Sequence, residues 1–187
     1  RGCDNFCSFC VVPYTRGRER SRDPESILLE ARDASTRGFK QITLLGQNVN
    51  SYCHEGWDFA KLIAALADTP GIDRVRFTSP HPKDFPLALI DAIATHPKIC
   101  KHIHLPLQAG SDRILELMGR TYTGAEYLAL VDRIRSRIHD IVLRTDIICS
   151  FCSESEEDFQ ATHRIIEQTQ LDSAYIFKYS ERKHTIA

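Results

Sequence analysis

Two kinds of apolar patterning alternate along the chain. The segments "KQITLLG", "DRVRFTS", "KHIHLPL", "IVLRTDII" and "SAYIFKY" are short and rich in β-branched and aromatic residues, which predicts five strands. The fourth is apolar enough to read as buried. Between them apolar residues return every three or four positions. Ile27, Ala31 and Ala34 share one face, followed by Phe59, Leu62, Ile63 and Leu66, then by Leu87, Ile90 and Ala94. Tyr127, Val131, Ile134 and Ile138 mark a longer helix, and Phe159, Thr162 and Ile166 another; a short helix is expected from about Ser111 to Met118. Asp23 before Pro24 reads as an N-cap and first helical residue, and Gly38 as the stop.

Helix and strand alternate five times, the order of a parallel sheet with helical crossovers. A closed eight-fold barrel needs about 250 residues, and the chain has 187. An open or partial α/β barrel is therefore expected, with a strand missing before Cys3 and an unpaired edge in its place. In such sheets chemistry gathers where the strands end. Those ends read "GQNVNSY", "SPHPKDF", "QAGSD", "SFCSESEED" and "YSERKH", five polar loops on one rim.

Composition narrows the function classes. Lys and Arg number 24 against 25 Asp and Glu, so any nucleic-acid contact must come from a local patch. No apolar run is long enough to cross a bilayer and no signal peptide is visible. Seven cysteines, three of them clustered, point away from a disulfide scaffold and toward a metal site in a reducing compartment. The chain starts at Arg1, two positions from that cluster, and reads as one domain, 1–187, of a longer protein.

Cys3, Cys7 and Cys10 lie in "RGCDNFCSFC". Structural zinc needs four ligands, usually in paired knuckles, and the nearest histidine is the distant His54. Ferredoxin-type loops carry a fourth cysteine. Unconnected buried thiols are the bland alternative, but Gly2, Asp4, Asn5 and Ser8 make the stretch a loop. Three thiolates on a four-iron cluster would leave one iron open, as a catalytic zinc keeps one position for water. "YTRGRERSR" places Arg16, Arg18, Arg20 and Arg22 at every second position. If extended, all four point to one side, as phosphate contacts or as intramolecular salt bridges. His81, beside Pro80, is a candidate substrate contact. Ser111 reads as a helix cap or as part of a carboxylate site. Cys149 and Cys152 make a conceivable redox or zinc pair, while Cys53 and Cys100 read as lone thiols.

The Cys-x3-Cys-x2-Cys spacing with Phe9 before the last cysteine resembles the signature of the radical S-adenosylmethionine (SAM) enzymes. "GCDNFCSFCVVPYTRGRERSR", "LLGQNVNSY", "SPHPKDF", "HLPLQAGSDRILELMGRTYT" and "FKYS" are similar to stretches of the methylthiotransferases, above all the MiaB-type tRNA enzymes. The resemblance implies a partial, open TIM-like (β/α)6 barrel, with an N-terminal auxiliary-cluster domain and a C-terminal TRAM domain outside this chain. It implies that Cys3, Cys7 and Cys10 hold a 4Fe-4S cluster whose fourth iron takes SAM. Phe9, Gly46, Gln47, Asn48, Gln108, Ser111 and Glu154 become expected SAM-binding positions, and Arg16, Arg18, Arg20 and His81 expected tRNA contacts. The implied reaction is methylthiolation of isopentenylated adenosine beside the anticodon. A second 4Fe-4S cluster, an electron donor such as a flavodoxin or ferredoxin, and a cytoplasmic setting without a membrane go with it. Rivals are a sister enzyme acting on a ribosomal-protein aspartate or threonylcarbamoyl adenosine, and a non-enzymatic metal-binding or electron-transfer module. Two departures stand out. Ser150-Phe151-Cys152-Ser153-Glu154-Ser155 replaces a Gly-Phe-Pro-Gly-Glu-Thr turn, with Glu154 expected to open the next helix, and "SERKHT" replaces Ser-Pro-Arg-Pro-Gly-Thr.

Overall fold

A computed structural model describes residues 1–187. In chain order the elements are α1 (Val12–Arg16), α2 (Pro24–Thr36), β1 (Gln41–Leu44), β2 (Cys53–His54), β3 (Trp57–Asp58), α3 (Phe59–Ala67), β4 (Arg74–Phe77), α4 (Leu87–Thr95), β5 (His102–His104), α5 (Asp112–Leu117), α6 (Gly124–Arg137), β6 (Val142–Cys149), α7 (Glu156–Thr169) and β7 (Ser173–Lys178). Strand β1 pairs with β4, and β6 with both β5 and β7, all in parallel. A parallel bridge from Val75 to Ile99 joins the two groups, so five strands run side by side in chain order. The result is an open α/β barrel segment, as the alternating pattern requires.

Local chemistry sets the helix ends. The Asp23 carboxylate accepts the Ser26 N–H at 2.8 Å and Pro24 opens α2. Capping boxes of Thr123 with Glu126 and Ser155 with Asp158 start α6 and α7, each satisfying two amides the helix leaves free. The core lies between helices and sheet: Ile63 and Leu66 of α3, Ile90 and Ile93 of α4, Ile134 of α6, and Val75, Ile103 and Leu143 of the strands are fully buried. Burying each such side chain contributes roughly 1.5–3 kcal/mol.

Strand β6 is not buried on both faces as its composition suggests. Leu143, Thr145 and Ile147 point into the core, while Arg144, Asp146 and Ile148 are only partly covered on the concave side. There His104 Nε2 lies 2.9 Å from Asp146, and Arg144 donates to the Tyr175 hydroxyl at 2.9 Å. The five predicted strands and the helices between them are present. The pattern did not show α1, a single turn without measurable period, or the small antiparallel hairpin of β2 and β3. Strands β1 and β7 leave their outer edges unpaired within the chain.

Candidate cofactor and active site

Residues 1–10 form no helix or strand, so their shape depends on bonds to other segments. The Gly2 N–H donates to Gln47 Oε1 at 2.7 Å, and the Cys3 N–H to the Gly17 carbonyl at 3.3 Å. Ser8 is held twice, its N–H on the Met118 carbonyl at 2.9 Å and its hydroxyl on the Leu117 carbonyl at 2.7 Å. From the other end of the chain the Ile186 and Ala187 amides donate to the Ser8 carbonyl, both at 3.0 Å. Gly2 has φ +83°, and a Cβ there would sit 2.1 Å from the Arg18 carbonyl oxygen. Only glycine fits.

Cys3, Cys7 and Cys10 are free and partly buried. Burial pushes the Cys3 and Cys10 thiols up, and the nearby cysteines push them further, opposed by the backbone at Asn5 and Val12. Ionisation of Cys3 and of Cys10 is therefore favoured only by a positive partner nearby. No three His, Cys, Asp or Glu side chains are placed to hold a single metal ion, which does not suit mononuclear zinc. A cluster suits better, because each thiolate takes a separate iron. Arg120 and Arg182 lie close enough to Cys10 to favour its thiolate, and metal binding would complete the ionisation.

The strand ends meet this loop. A Cβ at Gly46 would approach Val49 Cα to 3.1 Å, so the chain turns tightly after β1. Gln47 is committed to Gly2. Asn48 donates to Asp84 Oδ2 at 2.9 Å, but its own Oδ1 is buried without a partner. An orphan acceptor of this kind fits an ammonium donor such as the SAM amino group. After β4, β5 and β6, non-glycine residues adopt left-handed backbone: Ser79 (φ 57°), Gln108 (φ 73°) and Ser150 (φ 59°). Gln108 exchanges backbone bonds with Asp146 and Ile148, both at 2.9 Å, which leaves its side-chain amide uncommitted. Ser111 caps α5, accepting the Ile114 N–H at 3.5 Å and donating to Asp158 at 2.5 Å. Its hydroxyl is thus spent on structure. Arg113 foremost, with Ser111 and Ser155, holds the Asp158 carboxyl well below the usual carboxylate range.

The departing turn keeps a glycine-like course. Ser150 and Ser153 both have positive φ, 59° and 62°, at a cost of about 1–2 kcal/mol each for an L residue. Glu154 does not open α7, whose N-cap is Ser155. Its carboxylate instead closes the turn, accepting the Ser150 N–H and, at 3.3 Å, the Phe151 N–H. The buried Phe151 ring stands edge-on to Phe9 and Tyr179, at 6.5 and 5.1 Å between centroids, an aromatic wall from the cysteine loop to the end of β7.

The arginine row is broken by structure. Arg16 ends α1 instead of extending, Arg18 pairs with Asp4 at 3.0 Å, and Arg22 pairs with Glu30. Arg16 and Arg20 stay exposed without a carboxylate partner. His81, expected as a substrate contact, is inside: 7% exposed, edge-on to Tyr122 at 5.8 Å, its Nδ1 accepting the Lys83 N–H at 3.2 Å. Asn50 bridges to it, accepting the His81 N–H at 2.7 Å and donating to its carbonyl at 2.9 Å. Its role here is to lock the ends of β1 and β4 together. Cys149 is partly buried and Cys152 exposed, both free. A cavity of about 620 Å³ opens beside α2 and β1, where Ile27, Ala31, Phe39, Ile42 and Leu44 form its apolar side. Arg20, Arg22, Glu30 and Asn48 also reach it, so its wall is mixed, and none of the three thiols lines it. Sequence reasoning overlooked Arg120, within "MGRTYT", whose Nη1 lies 3.5 Å from Cys7 Sγ.

The architecture is an open parallel barrel with three partly buried free thiols in the loop that meets its strand ends. The family model described as the Radical SAM superfamily matches residues 1–166, and the chain belongs to that family. It is 52% identical, over its whole length, to a tRNA-2-methylthio-N(6)-dimethylallyladenosine synthase of Thermoanaerobacter pseudethanolicus, and 53% to one of Porphyromonas gingivalis. It spans 40% and 41% of those two proteins. Among solved structures it is similar to the radical S-adenosylmethionine methyltransferase TsrM of Kitasatospora setae with cobalamin and a [4Fe-4S] cluster bound. That likeness has a TM-score of 0.76 at 19% identity and covers 95% of this chain and 35% of TsrM; it bears on the fold.

Two outcomes are expected at the rim. Replacing Ser150→Gly together with Ser153→Gly should raise stability by about 1–2 kcal/mol in urea unfolding, because relief of strain at two left-handed residues exceeds the roughly 0.5–1 kcal/mol that each glycine costs in chain entropy. Burial, then Arg120 and Lys83, drives His81 from the usual 6.5 to about 3. The unfolded chain therefore binds a proton below pH 6.5 that the folded chain refuses, so stability falls with acidification. Unfolding free energies at pH 7 and pH 5 should show a loss of about 2 kcal/mol from this residue that His81→Gln lacks.

Proposed function

We propose that this chain is the radical SAM core of a tRNA methylthiotransferase that modifies isopentenylated adenosine. The observation that carries the reading is identity above one half, along the entire chain, to enzymes named for that product. The geometry agrees with it: three gathered thiols, an orphan acceptor at Asn48 and an uncommitted amide at Gln108 share one rim.

In this reading Cys3, Cys7 and Cys10 hold the 4Fe-4S cluster. Bound there, the cluster and SAM would supply one-electron reductive cleavage of the sulfonium. The chain's own residues do the placing. Gln47 fixes the entry of the cysteine loop through Gly2, Asn48 Oδ1 would accept from the SAM ammonium, and Gln108 would offer its amide to cofactor or substrate. Backbone at Phe9 would lie beside the adenine, and the wall of Phe9, Phe151 and Tyr179 would keep water from the site. Arg16 and Arg20 are the free cations for tRNA phosphates, with Arg18 partly engaged by Asp4. The sulfur donor is a second cluster held by parts of the protein outside this chain. The electron comes from a small reductant protein, a flavodoxin or ferredoxin, in the cytoplasm. No helix is long and apolar enough to cross a membrane.

Anaerobic reconstitution tests the class. The chain should take up about four irons and form deoxyadenosine from SAM, and Cys7→Ala should lose both; zinc retention without SAM cleavage would refute the reading. For the substrate, Arg16→Ala with Arg20→Ala in the full-length protein should weaken binding of isopentenylated tRNA and lower the salt dependence by about one unit per lost phosphate contact. Unchanged gel retardation across salt concentrations would remove the arginines from the interface.

A further inference from the structure

Arg120 follows α5 and lies against the cysteine loop. Each of its three donor nitrogens has a partner: Nη1 donates to Cys7 Sγ at 3.5 Å, Nη2 to the Pro106 carbonyl at 3.1 Å, and Nε to the Tyr122 hydroxyl at 3.0 Å. The guanidinium also sits 5.1 Å from the centre of the Tyr122 ring. That tyrosine is buried and its hydroxyl contacts the Pro106 and Leu107 carbonyls at 3.0 and 2.8 Å. The cation is thus fixed by a rigid frame in which no carboxylate takes part. Its ionisable partners are the Tyr122 phenol, which burial pushes up, and the Cys7 sulfur. A covered cation without a countercharge is costly, and a protonated thiol supplies none. A sulfur bound to iron would, through a charge-assisted hydrogen bond.

We propose that Arg120 is a positioning residue for the cluster, holding the Cys7 sulfur and making the cluster easier to reduce. The proposal rests on the reading of Cys3, Cys7 and Cys10 as cluster ligands. Reduction adds one negative charge, and a fixed cation bonded to a ligand sulfur stabilises the more negative form; hydrogen bonds to cluster sulfurs act in the same sense. The segment that carries Arg120 also holds Ser8 through the Leu117 and Met118 carbonyls, so Cys7 and its neighbour are gripped together. Lysine cannot copy this arrangement, because one ammonium cannot serve a sulfur, a carbonyl and a phenol in fixed directions at once.

The test compares the full chain with Arg120→Gln and Arg120→Lys after anaerobic reconstitution with iron and sulfide. Iron per chain is measured, and the cluster is titrated with dithionite under electron paramagnetic resonance. Arg120→Gln should keep its iron, but at a fixed potential its reduced-to-oxidised ratio should fall about tenfold, equal to about 59 mV for a one-electron couple. Arg120→Lys should fall between. If Arg120→Gln holds no iron, Arg120→Lys should restore it; loss in both assigns Arg120 to packing and overturns the proposal. Wild-type potentials in both variants at full iron content overturn it while leaving the cluster ligands intact. A wild-type chain that takes up no cluster overturns the ligand reading itself.

Discussion

The hydrogen bonds of Ser8 to the Leu117 and Met118 carbonyls join parts of the chain more than a hundred residues apart. The cysteine loop has no secondary structure of its own, so without such anchors its thiols would wander. Backbone donors and acceptors in a loop must find partners or remain in water. Here they find Gly17, Gln47 and Met118, which belong to three different segments. The helix–sheet core fixes those segments, and through them buried Ile and Leu side chains set the thiol positions. Stability and chemistry are linked at Ser8.

The rim also stores strain. Left-handed residues that are not glycine stand after three successive strands, at Ser79, Gln108 and Ser150, with Ser153 close by. Sparsely populated backbone persists only where the surroundings over-determine it. At Gln108 the surroundings are two backbone bonds to β6, and at Ser150 the carboxylate of Glu154. The rigid sheet supports both. An amide or a turn can be aimed at a ligand before the ligand arrives, which lowers the ordering cost of binding.

Much of the fold was legible because helix and strand periods are local properties. The burial pattern of α3 follows directly from Phe59, Leu62, Ile63 and Leu66. The nearness of the cysteines was legible for the same reason, since three thiols within eight residues cannot stray far from one another. What the sequence did not show depends on tertiary contacts. His81 looked available because its neighbours are prolines and a lysine; only the packing of Tyr122 and Asn50 around it reveals burial. Arg120 meets Cys7 across 113 residues, and no local pattern reports such a distance. At Ser150 and Ser153 the residue types revealed a cost but not whether the backbone would yield. It does not, because Glu154 and Phe151 hold the turn.

The sheet is unfinished at both sides. Strand β1 presents an unpaired edge beside the apolar side of the cavity, and β7 leaves Tyr175, Ile176 and Phe177 exposed. Free strand edges next to apolar side chains invite pairing with any other chain. Kept as a separate polypeptide at high concentration, this molecule will be prone to stack edge to edge with its own copies. Its solubility, rather than its fold, then becomes the first obstacle to handling it, and capping the two edges is the remedy.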